Sequence, residues 1–502
     1  MVPALSLTAA LVLGGSRDAR AAGADDLPQR PKFDELDLWM ASRLRATALR
    51  DFPLDDVGTR SGQHRYYESR IRAGALAHFG EIYSVKLELD LLSGIFAGDR
   101  TALGTAAGDD TLRDRHDRTF GAGVLRLREL YLAVRLPFGE LRVGQQAFTF
   151  GLGVRYLGGE GEPDFGDRRL GTIVERLFFS TRPFASSLAA KELVSNATLF
   201  VALDAVLRDQ MTDFASGDRA YGATIGVRSS KKDFAFGVLE AFRLEKDRDD
   251  GGVRAQTRSL TTDAYATAVV AKLGDVSALR VEAESVVVAG DSERALSFGP
   301  AGAQKLRQFG GVMRLRFDDD ELMLTVKNDL GLATSFSSAG DLTPRSFSFN
   351  ADYRVGLILF DQVLGRLSAR AADRVIESSS GAPPSNARWL PTQGAVTNAL
   401  YLAPVVRWNL ARTIDLRLGY LLAFRAGDLR DPYSSSGALA GGRALGHELD
   451  YSARVRLHLD GSLYVRVGFE GGIFFAGSAL NGVAGNALGT VWMARGLADL
   501  TW

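Results

Sequence analysis

The sequence predicts an all-β protein, a transmembrane antiparallel β-barrel of about 18–20 strands with short periplasmic turns and long extracellular loops. Three observations carry that expectation. Apolar and polar residues alternate at period two along most of the chain, the signature of strands with one apolar face. Short turns and long polar loops take turns between the alternating runs. The chain closes on an aromatic in "LADLTW", with Ala498, Leu500 and Trp502 on one face.

The N-terminus reads "MVPALSLTAALVLGGSRDARAAGADD". Ala4 to Leu13 supplies an apolar core and Ala19-Arg20-Ala21 a small-x-small cleavage site, although no basic residue precedes that core. Residues 1–21 are expected to be a signal peptide, 22–32 a short N-terminal segment and 33–502 the barrel. A short buried helix is the alternative for the first stretch. Past it, no run of about 18 apolar residues suggests a transmembrane helix.

The strands follow in order. Ile71, Ala73, Ala75, Ala77 and Phe79 alternate with Arg70 and Arg72. In "SVKLELDL" (84–91), Val85, Leu87, Leu89 and Leu91 alternate with Lys86, Glu88 and Asp90. The fourth strand breaks phase: Leu125 and Leu127 are followed by Leu130, Leu132 and Val134, which predicts a β-bulge near Arg128–Glu129. Later runs include 279–284, 322–329, 414–422, 449–459 and 463–470.

Short connections are read at 79–81, 137–140, 229–233, 273–275, 318–321, 360–362, 411–413 and 460–462. Long ones rich in Gly, Asp, Ser and Pro fall between them, among them 51–63, 151–171, 335–343 and 378–394. An open meander of this size would expose two long edges, and closure removes them. The dyad pattern then places lipid on one side and a wet lumen on the other. The final strand, ending at Trp502, is the expected signal to the barrel assembly machinery.

The stretch "LRLRELYLAVRLPFGELRVGQQAFTFGLG" (125–153) resembles the alginate-export type of porin, in which an "RExY" strand leads through a tight turn to an "LRxGxQ" strand. The matching residues are Arg128, Glu129, Tyr131, Leu141, Arg142, Gly144 and Gln146, with Gln145 where the family commonly has Arg. The resemblance implies an outer-membrane channel. It places "DFGDRR" (164–169) in the long loop after the hairpin, as a constriction or a surface loop.

Read from the residues, the lumen face carries Arg43, Arg45, Arg70, Arg72, Arg126, Arg128, Arg142, Arg454, Arg456, Arg466 and Arg495, interrupted by Lys86, Glu88, Glu129 and Asp90. The last strands close against the first, so most of these arginines gather on one arc of the wall. They form either a ladder that guides an anionic solute or cross-strand Arg–acid pairs that brace the wall. Nine of the 60 basic residues are lysine and the rest arginine, which a GC-rich genome also explains.

Other functions are poorly served. A formal net charge of zero argues against nucleic-acid binding. The absence of cysteine removes disulfides and thiolate chemistry. The five histidines show no metal-ligand spacing, and His78 beside the first short turn reads as a surface residue. His447 with Ser434–Ser436 is the sole candidate for a nucleophile and base. The expectation is a passive channel for small hydrophilic or anionic solutes, narrowed by the loop at 151–171, with no enzymatic step, cofactor or metal. Export of an anionic polysaccharide and a structural or adhesive barrel are the alternatives.

Overall fold

The computed structural model describes residues 35–55, 58–99, 125–168, 171–185, 191–209, 211–212, 214, 217–248, 254–294, 304–334, 346–374, 392–411, 413–427, 441–481 and 488–502. The signal-peptide expectation and Ser434–Ser436 fall outside them.

Eighteen strands form one antiparallel sheet that closes on itself. They are β1 Leu36–Leu49, β2 Arg65–Phe79, β3 Tyr83–Gly98, β4 Leu125–Leu136, β5 Gly139–Ala147, β6 Ile173–Thr181, β7 Thr198–Arg208, β8 Arg219–Lys231 and β9 Phe234–Lys246. The second half holds β10 Gln256–Leu273, β11 Ser277–Ser292, β12 Gln304–Asp319, β13 Leu324–Ala333, β14 Ala399–Leu410, β15 Ile414–Arg425, β16 Ala444–Asp460, β17 Leu463–Ala476 and β18 Thr490–Thr501. Each strand pairs with its neighbours in sequence, and β1 pairs with β18 to seal the ring. At the seam, Met40 and Trp502 exchange both backbone hydrogen bonds, at 2.8 and 2.9 Å. Every ladder is therefore satisfied, as a spanning sheet in lipid requires.

The alternation read in the sequence is the wall's two faces. On β1, Leu44 is 49 % exposed on the outside while Arg45 is 7 % exposed on the inside. Leu130, Val143, Leu203, Ile225, Phe242, Leu260 and Leu418 continue the apolar outer belt. No helix among the described residues is long and apolar enough to cross a membrane.

The phase break in β4 is a bulge. Glu88 on β3 pairs with Glu129 and Leu89 with Leu127, which leaves Arg128 as the extra residue. Two consecutive side chains, Arg128 and Glu129, are consequently both buried on the lumen side. In the adjoining β5, Gly144 has φ +126°, and a Cβ there would sit 2.3 Å from the Leu130 carbonyl oxygen. Only glycine tolerates that backbone at that approach.

Walking the sequence loop by loop gives about twenty strands, or eighteen if one is split, and eighteen are present. The two surplus ones lay on either side of "FDQ" (360–362), which is no short turn. From Ser346 the chain folds back into the barrel, forms a π-helical turn at Leu359–Leu364 and continues as a helix at Gly365–Arg374. Phe347, Phe349, Tyr353, Leu357, Ile358, Phe360, Val363 and Leu367 are all buried. They pack against Phe52 and Leu54 and against the inner faces of the wall at Leu49, Val286, Val288, Tyr401, Leu421, Phe474 and Met493. Alternation at 347–357 imitates a strand because a segment enclosed by a barrel is buried on more than one side. Another departure is the β6–β7 connection, which is long and contains a one-turn helix at Glu192–Ser195.

Candidate functional site

The connection between β5 and β6 turns inward and crosses the lumen. Its charged residues meet the wall arginines that the alternation pattern placed there. Asp167 receives Arg45 Nε at 2.9 Å and Arg45 Nη2 at 3.0 Å, Arg43 Nη1 at 3.1 Å, and Arg495 Nη1 at 3.3 Å. Glu162 pairs with Arg454 and with Arg466, and lies 3.6 Å from Arg417. Asp164 pairs with Lys327, while Arg417 Nη1 donates to the Pro163 and Asp164 carbonyls at 3.0 and 2.8 Å. On the opposite side of the loop, Arg128 Nη2 donates to the Gly158 carbonyl at 2.7 Å, Arg72 Nη1 to Gly159 at 3.3 Å and Arg70 Nη1 to Arg168 at 2.7 Å. The loop hangs between the two arcs of the wall like a strap.

Wall-to-wall pairs supply the rest. Arg72 forks onto Asp90 at 2.7 and 3.0 Å, the planar two-bond geometry in which a guanidinium binds a carboxylate most strongly. Arg128 Nε donates to Glu88 at 2.9 Å, and Lys86 pairs with Glu129. Arg466 Nε meets Asp499 at 2.9 Å, and Arg454 and Arg495 share Glu470 at 3.0 and 3.1 Å. Arg142 pairs with Glu140 and lies 5.7 Å from the Tyr131 ring centre. Arg126 is half-buried opposite Asp90 in the ladder. Arg456 is exposed near the short-turn end of β16 and has no ion pair among the described residues.

Three carboxylates, Glu88, Glu129 and Glu160, bring oxygens within 4.8 Å of one another, a spacing that suits a cation. Lys86 and Arg128 already stand among them, so the negative charge is met by side chains of the wall. His78 is buried on the inner side, at 6 % exposed, which corrects its reading as a surface residue. His447 stacks on Phe475 with ring centres 4.8 Å apart on the outer face, which removes it from any lumen chemistry.

Sequence reasoning missed two sets of residues. Arg314 on β12 and Arg407 on β14 extend the charged lining, beside Lys327 and Arg417, which the alternation of their strands puts on the polar face but which the expected lumen set omits. The other set is a pair of wall glutamates that hold the inward segments by their backbones. Glu284 accepts from Val154 N at 3.0 Å and from Leu152 N. Glu448 accepts from Leu357, Ile358 and Leu359 N at 2.6, 2.8 and 2.7 Å. Nothing local to either glutamate announces this.

No family model and no curated protein matches the chain. The resemblance of residues 125–153 to the alginate-export porins therefore rests on those motif residues alone. Among solved structures, OccAB1 of Acinetobacter baumannii is similar with a TM-score of 0.53 at 8% identity, over 94% of this chain and 98% of that one. OccAB2 of the same organism gives 0.51 at 12%, with the same coverage. The fold is that of a bacterial outer-membrane porin. The outer membrane protein OprD of Pseudomonas aeruginosa gives 0.48 at 11% identity, over 94% and 96% of the two chains. Within this fold, Asp167, Glu162 and Asp164 hold the β5–β6 loop across the lumen against the wall arginines and Lys327.

Proposed function

We propose that this barrel is a passive channel of the bacterial outer membrane for small hydrophilic solutes, with a preference for anions. The observation that carries the reading is the uneven neutralisation around the strap. One carboxylate, Asp167, is shared by Arg43, Arg45 and Arg495. Arg43 keeps 20% of its side chain exposed, Arg70 bonds a backbone carbonyl, and Arg456 is unpaired among the described residues. These three are the groups available to a solute, whereas Arg72, Arg128 and Arg466 are committed to the wall.

Bilayer conductance tests this. A steady current with anion preference under a salt gradient is expected, and Arg43→Glu with Arg70→Glu and Arg456→Glu should move the reversal potential toward cation selectivity. A protein that carries no current, or a reversal potential indifferent to the triple change, overturns the reading.

A second reading is supported by the filled long-loop half of the lumen, where the segment 346–374 packs against the wall. It is a barrel closed at rest that conducts only when this segment moves. Export of an anionic polysaccharide, which the 125–153 motif suggests, would require both the strap and this segment to leave the lumen. It would show as a conductance far larger than that of a small-solute pore.

A further inference from the structure

Five basic side chains lie at the long-loop end of the barrel on its outer face: Arg219 on β8, Lys246 on β9, Arg258 on β10, and Lys305 and Arg307 on β12. Each is in phase with the lipid-facing residues below it, Tyr221 and Ile225, Phe242, Leu260, and Phe309 and Met313, and each is exposed. They therefore sit on the boundary where the apolar belt ends and the outer-leaflet headgroups begin.

Their arrangement is electrostatically unfavourable as it stands. Arg219 and Lys246 face each other directly across the β8–β9 ladder. Like charges in that position repel. Arg219 stacks over Phe214 with 4.0 Å to the ring centre and donates to the Asp218 carbonyl at 2.7 Å, neither of which supplies negative charge. Lys305 pairs with Asp291 at 2.7 Å, both well exposed, and Asp291 also stands opposite Arg258 in the ladder. Lys246, Arg258 and Arg307 have no ion pair among the described residues. The far side of the same rim is different in kind: Leu400, Phe424, His447, Phe475 and Trp492 face outward there, an apolar and aromatic girdle. Elsewhere on that rim the exposed basic residues Arg50, Arg65 and Arg443 stand apart from this group, whereas the β8–β12 arc gathers five within neighbouring strands.

We propose that this arc is a binding surface for the phosphorylated headgroup of an outer-leaflet glycolipid. A phosphate monoester carries about −1.5 to −2 charges near neutral pH and accepts the paired N–H groups of a guanidinium. One phosphate between Arg219 and Lys246 turns their repulsion into two attractions, and a second reaches Arg258 and Arg307. Acyl chains then continue down the outer wall over Tyr221, Phe242 and Leu260. The inference uses the membrane placement of the barrel and not its conductance, so the two stand or fall separately.

The test is native mass spectrometry of the detergent-solubilised barrel with a bis-phosphorylated diglucosamine glycolipid and with its dephosphorylated form. The protein is compared with the quadruple variant Arg219→Gln, Lys246→Gln, Arg258→Gln, Arg307→Gln. Folding is checked by heat-dependent gel migration. The variant should bind the phosphorylated lipid about tenfold more weakly, and the dephosphorylated lipid should bind the native protein no better than that. Arg50→Gln with Arg65→Gln, outside the arc, should bind as the native protein does. If the quadruple variant does not fold, Arg258→Gln with Arg307→Gln asks the same question and should weaken binding about threefold. Equal binding of both lipids, equal binding by native and variant barrels, or displacement of the lipid by an equal concentration of inorganic phosphate would overturn the proposal.

Discussion

Arg45 and Asp167 are separated by 122 residues in sequence and joined by two hydrogen bonds of 2.9 and 3.0 Å inside the barrel. Arg45 is also bonded to Asp499 on the last strand at 2.5 Å. One guanidinium thus ties the strap to the seam where the sheet closes. Replacing Asp167 with Asn removes the carboxylate that Arg43, Arg45 and Arg495 share, leaving Arg45 to Asp499, Arg495 to Glu470 and Arg43 with only the neutral amide in its place. Loss of one partner of a buried pair costs about 3–5 kcal/mol. The expected outcome is a mobile strap, larger single-channel conductance and stronger anion preference, read in planar bilayers.

The same contact fixes a pH response. Burial pushes the Asp167 carboxyl up, but Arg45, Arg43 and Arg495 outweigh it and hold it well below the ordinary carboxylate range. A group lowered in this way stabilises the folded strap fully above its unfolded value of about 3.9. The stabilisation is lost as pH falls below that value toward the depressed one. Strap anchorage should therefore be unchanged from about pH 8 to pH 5, with single-channel conductance constant across that range. A titrating step near neutrality would contradict it.

Glu448 is the sole wall side chain found to accept from three consecutive amides of the inward segment among the described residues. Glu448→Ala removes the two carboxylate oxygens that take all three hydrogen bonds. Each hydrogen bond to a charged group contributes about 1.5–3 kcal/mol. The amides of Leu357, Ile358 and Leu359 should then exchange with deuterium far faster than in the native protein, while the strands keep their protection. Unchanged exchange at those positions would show that the apolar packing alone holds the segment.

Gly144→Ala probes the β4–β5 hairpin. The new methyl would meet the Leu130 carbonyl oxygen at 2.3 Å on a backbone of positive φ. A strained backbone position of this kind costs about 1–3 kcal/mol before the clash is counted. A reduced yield of folded barrel and a lower melting temperature by circular dichroism are expected.

Gly419 makes room for Phe165 of the strap: a Cβ there would be 2.5 Å from the ring. Gly419→Val should expel the ring and open the lumen without touching any charge. Conductance should rise with ion selectivity unchanged, which separates this variant from Asp167→Asn.

The wall was legible in the sequence because each strand carries its own evidence. Arg70 and Arg72 announce an inward face through Ile71 and Ala73, and the β4 bulge shows as a slip of one residue after Leu127. What fills the barrel was not legible. The partner of Arg43 is 124 residues away on a loop with no periodicity. Phe347 to Leu357 alternate like a strand although they join no ladder beyond a single bridge between Ser348 and Thr397. Local pattern reports which solvent a side chain meets, and inside the barrel that solvent is another part of the chain.

The dry layer built by Phe347, Phe349, Ile358 and Phe360 against Tyr401 and Phe474 has a consequence beyond obstruction. Polar ions do not enter such a space until liquid fills it, and filling is a collective event with its own free-energy threshold. Passage on that side of the lumen would then be governed by wetting before it is governed by solute size. Membrane voltage and osmotic stress act on wetting directly. Were the segment to leave its place, the aromatic packing against Tyr401 and Phe474 would be the layer that water has to fill first.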